Sequence, residues 1–165
     1  ARLLQTAIRA RPLTMLAARL WRVLTGVNME PQEFEYLARL AHEAGNGCVV
    51  VERSRADFMT LLRNCAVSVS QAGYNTVMEI LDSGARAVAV PFAGGAETEQ
   101  TLRARQLAAR GRIEVVEEGA LAPGTLAAAV DRAARGPRPE SGGVDLGGAG
   151  RSAELLARWT AELKW

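Results

Sequence analysis

One segment of the sequence joins a β-branched run, a glycine turn and the start of a helix, at residues 68–79 (SVSQAGYNTVME). The free N–H groups and the dipole of a helix's first turn favour an anion there. Gly73 has no side chain to hold a phosphate away from the backbone, and Ser70, Asn75 and Thr76 can donate hydrogen bonds to its oxygens. An ordinary capped turn fits equally well, because Thr76 and Glu79 have capping-box spacing.

A second segment, residues 91–104 (PFAGGAETEQTLRA), places a glycine loop before a helix whose first turn is acidic and amidic. Glu99 can accept hydrogen bonds from sugar hydroxyls, and Gln100 can both accept and donate them. Acidic residues at a helix start are also favourable to the dipole without any ligand. Both interpretations remain open from the residues alone.

Other polar candidates give weaker signals. Asp57 is interpreted as a helix cap rather than a ligand. The arginines of the loop Arg53-Ser54-Arg55 are equally explained as solvated. His42 is the single histidine and is assigned to the surface, and no Asp-x-Asp pair occurs, so we expect no metal site.

Short apolar runs alternate with helical patterns, which predicts βαβ units and one parallel sheet covered on both faces. Ligands of such sheets bind at the carboxyl ends of the strands, where the segments above lie. Helices are predicted around 34–41, 57–63, 74–82, 97–110 and 126–133. Strands are predicted at 21–25, 48–52, 66–70, 87–90 and 113–116.

The two ends of the chain depart from this alternation. Residues 1–11 read as a helix with no strand before it, so we expect the first strand to lie upstream in a longer protein. Its absence should leave a gap or exposed edges in the sheet. The domain is assigned to 1–136, followed by a flexible Pro/Gly-rich linker at 137–149 and a C-terminal helix at 150–165.

Composition excludes several classes of protein. The chain has 165 residues, 48% hydrophobic and 23% charged, which is typical of one globular domain. A net charge of +2 is too small to indicate nucleic-acid binding. No apolar run approaches the ~18 residues of a membrane span, and no signal peptide is visible. Cys48 and Cys65 form no CxxC pair, so we expect a reducing, cytoplasmic setting.

The two polar segments occur in an order that resembles a known family. The pattern SQAGYNTVMEIL…VPF…ETEQTLRA, within residues 21–135, resembles the C-terminal, donor-binding half of GT-B glycosyltransferases. It is similar to the family of the lipid-II-forming N-acetylglucosaminyltransferase, a bacterial group. The resemblance implies a Rossmann-like α/β fold and metal-independent transfer of a hexosyl group from a nucleotide sugar, with a UDP-sugar expected.

The resemblance also implies roles for individual residues. The turn that holds the donor diphosphate is matched by Ala72, Gly73, Tyr74, Asn75 and Thr76. Ser70 is assigned to the same diphosphate site as a hydrogen-bond donor. Glu79 matches the acid that binds the ribose hydroxyls. Glu99 and Gln100 match positions that hold the transferred sugar, both of them glutamines in the relative. The loop Arg53-Ser54-Arg55 matches a segment whose backbone packs on the base.

The expected partners are a nucleotide sugar and the protein's own N-terminal, acceptor-binding domain. We place the catalytic base in that domain and expect the isolated chain to be inactive. Any peripheral contact with a membrane is also expected through that domain. No cofactor is expected. Two alternatives remain: half of a nucleotide-sugar 2-epimerase, and a non-enzymatic α/β domain that binds a phosphate or nucleotide.

Overall fold

The computed structural model describes residues 2–92, 94, 99–141 and 157–159. Helices and strands alternate through most of this range, which confirms the predicted α/β class. The helices are α1 (Arg2–Ala10), α2 (Pro31–Gly45), α3 (Phe58–Asn64), α4 (Tyr74–Ser83), α5 (Glu99–Ala109) and α6 (Pro123–Arg135). The strands are β1 (Trp21–Leu24), β2 (Val49–Glu52), β3 (Ser68–Ser70), β4 (Ala87–Ala89) and β5 (Glu114–Val115). Short 3-10 turns cover Arg11–Leu13 and Glu118–Ala120.

Every strand pair is parallel, as the sequence predicts. The expectation of one continuous sheet is wrong, however. β1 pairs with β2, β3 pairs with β4 and β4 pairs with β5, which gives a two-stranded and a three-stranded sheet. Within the described residues, no ladder joins β1 to β3.

A cleft of about 730 Å³ lies where β1 and β3 face each other without pairing. We call it the β1–β3 cleft. The backbone amides of Trp21 and Thr25 donate to the carbonyl oxygens of Cys48 and Glu52, on the β2 side of β1. The backbone groups of the residues in between therefore point away from β2, toward the cleft. The same reasoning applies to β3, which pairs with β4 through the amide of Ser68 and the carbonyl of Ser70. The backbone groups that face the cleft belong to Arg22, Leu24, Val67 and Val69, here called the cleft-edge residues.

Helices cover both faces of the three-stranded sheet. The side chain of Val88 is buried on one face with α1 and α6, whereas Ala87 and Ala89 are buried on the other with α4 and α5. Burial of one such aliphatic side chain contributes roughly 1.5–3 kcal/mol. This alternation along β4 is what a strand covered on both faces requires.

Helix α1 joins the two sheets. Ala7 and Ala10 pack in the cluster of α6, while Ile8 is fully buried with Val23 and Leu37 beside the two-stranded sheet. Because α1 contacts both α2 and α6, it bridges the structure on one side of the β1–β3 cleft.

Gly84 ends α4 with φ +62°, a left-handed conformation typical of a glycine at a helix C-terminus. The start of the predicted linker packs against the C-terminal ends of α3 and α4. Arg138 donates hydrogen bonds to the carbonyl oxygens of Gly84, Leu62 and Arg63, and Arg112 donates to Glu140 at 2.8 Å. The first residues of the predicted linker therefore contact the folded domain. Most of the rest of the linker and of the C-terminal helix lies outside the described residues, although 157–159 are helical.

Candidate functional site

The start of α4 is open to a ligand. Gly73 is the N-cap residue of α4, and no side chain caps the helix there. The first turn of α4 contains no acidic residue. Its φ of −60° is one that any residue adopts, and a Cβ built on it would meet nothing within 4 Å. Neither backbone strain nor packing requires a glycine here. A glycine is, however, what a ligand that approaches the helix N–H groups closely would need.

The capping-box interpretation of this turn is wrong. The helix begins at Tyr74, so Thr76 is its third residue and Glu79 its sixth. A capping box requires Thr76 at the N-cap position itself. Glu79 is too far inside the helix to reach the free N–H groups at its end.

Two polar groups near this turn have no partner among the described residues. The carboxylate of Glu79 is half-buried and makes no hydrogen bond or ion pair within the described part of the chain. The hydroxyl oxygen of Ser70 is buried without a hydrogen-bond partner in the same range, and both Ser70 and Thr76 line the β1–β3 cleft. Buried polar groups are normally satisfied, so an unsatisfied one indicates a bound water or ligand.

The helix α5 begins at Glu99, and the residues before it at 95–98 lie outside the described range. The carboxylate of Glu99 is 75% exposed and forms an ion pair with Arg103, one turn along the helix. Gln100 accepts a hydrogen bond from the backbone amide of Phe92 at 3.2 Å through its side-chain oxygen. That bond holds the side-chain amide of Gln100 against the first residues of the loop that follows β4.

Arg103 is a site residue that the sequence reasoning missed. Its Nη1 donates to the carbonyl oxygen of Ala72 at 2.9 Å, and its guanidinium lies 5.4 Å from the centre of the Tyr74 ring. It therefore joins the two polar segments that the sequence singles out. The available signal was the i,i+4 spacing of Glu99 and Arg103, which predicts an ion pair but not the contact with Ala72.

The two arginines of the loop after β2 make hydrogen bonds within the protein. Arg53 donates to the carbonyl oxygens of Val27 and Met29, the latter at 2.7 Å, and lies 4.8 Å from the centre of the Phe34 ring. Ser54 between them is exposed. These contacts of Arg53 hold the loop in place.

Arg55 forms two hydrogen bonds with the carboxylate of Asp57, at 2.7 and 2.9 Å, and one with Glu52 at 3.0 Å. The hydrogen bonds from Arg55 lower the pKa of Asp57 below its usual value. Asp57 occupies the N-cap position of α3 but makes no cap hydrogen bond, because its oxygens are turned to Arg55. The prediction that its side chain caps the helix is wrong in this respect.

Within the described residues, no group of three or more His, Cys, Asp or Glu side chains is arranged to hold a metal ion. His42 is exposed near the end of α2. Cys48 and Cys65 are free thiols, and burial raises the pKa of Cys65. No helix in the described ranges is long and apolar enough to cross a membrane.

Known proteins resemble this chain at the level of family and fold. The family model of the glycosyltransferase family 28 C-terminal domain matches residues 49–141, which include the α4 turn and the start of α5. None of the curated proteins compared with the chain matches it.

Two crystal structures share the fold. MurG from Acinetobacter baumannii matches at 17% identity with a TM-score of 0.68, over 95% of this chain and 46% of that one. The glycotransferase of kitacinnamycin matches at 20% identity with a TM-score of 0.64, over 83% of this chain and 32% of that one. The Rossmann-like fold predicted from the sequence is confirmed, and the chain spans less than half the length of either structure.

Proposed function

Because this chain belongs to the family of glycosyltransferase family 28 C-terminal domains, we propose that it binds the nucleotide-sugar donor, a UDP-hexose, of a two-domain glycosyltransferase. The observation that carries the proposal is the uncapped start of α4. An open Gly73 lies there in the same segment as Ser70 and Glu79, two polar groups without a partner in the described part of the chain.

The donor diphosphate is assigned to the first turn of α4. Its N–H groups point along the helix axis toward the ligand, and Ser70 and Thr76 supply hydroxyl donors. In hexosyl transfer the transition state resembles an oxocarbenium ion, and negative charge grows on the departing diphosphate. Prearranged N–H groups stabilise that charge without reorganising, so this turn would accelerate the reaction as well as bind the donor.

The remaining parts of the donor are assigned outward from this turn. Glu79 lies six residues after Gly73, ~9 Å along the helix axis, at the distance of a ribose one linkage beyond the phosphates. Glu99 and Gln100 at the start of α5 are assigned to the hexosyl group. The backbone around Ser54 is assigned to the base, because the neighbouring arginine side chains are occupied elsewhere.

The acceptor and the catalytic base are assigned to a second domain, which this chain does not include. No metal is assigned a role, so charge stabilisation falls to the helix start and its donors. The proposal therefore expects donor binding, but no transfer, from these 165 residues alone.

Calorimetric titration of the chain with UDP, dTDP, GDP and inorganic phosphate tests the proposal. We expect UDP to bind at least about tenfold more tightly than GDP or phosphate, since only the matching nucleotide uses the base and ribose contacts. Equal affinity for all the ligands, or phosphate alone, would indicate a structural phosphate site. Release of a 2-epimer from the sugar nucleotide by the full-length protein would instead establish the epimerase alternative.

A further inference from the structure

Arg103 is a charged side chain in an unfavourable place. It lies at the start of α4, where the positive end of the helix dipole repels a cation. Its side chain is nevertheless only 17% exposed. Three contacts hold it there: the carbonyl of Ala72, the ring of Tyr74 and the carboxylate of Glu99. Each of them comes from one of the two segments assigned to the donor.

The planar guanidinium connects these groups rigidly. One nitrogen is bound to the turn before α4 and the other to the carboxylate at the start of α5. An arginine fork fixes direction as well as distance, which a lysine ammonium does not. The exposed side chain of Glu99 is thereby held in one orientation relative to the turn, although little else packs on it.

Only one oxygen of Glu99, Oε1, is bound to Arg103. The other oxygen stays able to accept a hydrogen bond from a ligand hydroxyl. We propose that Arg103 is a positioning residue that presents this oxygen of Glu99 to the transferred sugar, and so sets selectivity for the sugar rather than affinity for the nucleotide. This inference rests on the proposed function.

The test compares UDP with UDP-glucose and UDP-N-acetylglucosamine by calorimetric titration of the chain. In Arg103→Met, which keeps an unbranched stem but loses the fork, we expect the affinity for the preferred sugar nucleotide to fall about tenfold. The affinity for UDP should change by less than about threefold. Arg103→Lys should recover only part of the loss, because it restores the charge without the two-point geometry.

A double-mutant cycle separates positioning from general damage. If Arg103 acts through Glu99, then Arg103→Met should have almost no further effect on sugar-nucleotide affinity in a Glu99→Gln background. Arg105→Met is the matched control, since Arg105 lies on the same helix in an exposed ion pair with Glu117 at 3.0 Å. It should leave both affinities unchanged.

Several results would overturn the inference alone: an equal loss of affinity for UDP and the sugar nucleotide, full recovery by lysine, or additive effects of the two substitutions. A loss of UDP binding with a lowered melting temperature in both Arg103 variants would likewise assign Arg103 to the fold. Failure of the unsubstituted chain to bind any of the three probes would overturn the proposed function, and this inference with it.

Discussion

Replacing Glu79 with glutamine removes a charge that has no partner among the residues that the structure describes. Its carboxylate is half-buried and makes no hydrogen bond or ion pair in the described residues, so the fold should lose little when the charge is removed. The substitution keeps the shape of the side chain and its place on α4. Any large effect must then arise from a ligand.

The magnitude follows from the ribose contact. A carboxylate can accept hydrogen bonds from two neighbouring hydroxyls, and a charge-assisted bond contributes roughly 1.5–3 kcal/mol. Glutamine keeps one acceptor and loses the charge. We therefore expect the affinity for UDP to fall about tenfold or more, equivalent to ~1.4 kcal/mol or more, while the melting temperature changes by less than about 2 °C.

Calorimetric titration with UDP and a thermal melt measure the two quantities on the same sample. Asp82→Asn is the matched control, because Asp82 lies on the same helix in a surface ion pair with Arg63 at 3.5 Å. It should change neither quantity appreciably, since surface pairs contribute little. A destabilised Glu79 variant with unchanged UDP affinity would refute the ribose assignment, as would an equal loss of affinity in the Asp82 variant.

Three further predictions concern the turn, the cleft and the loop after β2. Gly73→Ala should lower UDP affinity about tenfold, because it places a methyl group beside the start of α4. Gly124→Ala should leave UDP affinity unchanged, since Gly124 is equally open but lies in the first turn of α6. Equal UDP affinities of the two variants would place the diphosphate elsewhere. The amides of the cleft-edge residues should exchange with deuterium faster than those that pair β3 with β4, and equal protection would show that the cleft is filled or closed. Because the pKa of Asp57 is lowered on folding, its contribution to stability is full above the unfolded value of 3.8 and is lost as pH falls through the folded value. The difference in unfolding free energy from Asp57→Asn should shrink over that range, and a constant difference would contradict the pairing with Arg55.

Local patterns in the sequence determined most of the elements and their parallel pairing. The run at 87–90 is apolar without alternation, and β4 is indeed covered on both faces. Gly84 ends α4 in a left-handed conformation that glycine adopts at no steric cost. Such features depend on a few neighbouring residues, so the sequence is sufficient to predict them.

Other features depend on residues that are distant along the chain, and only the tertiary structure decided them. The sequence predicts a gap or exposed edges in the sheet, but its place between β1 and β3 reflects which strand edges meet, which no local pattern of either strand specifies. Asp57 turns away from its helix because Arg55 offers a stronger, charged partner. Arg103 reaches a carbonyl 31 residues away, since hydrogen bonds between side chains and distant backbone form only once the helices have packed.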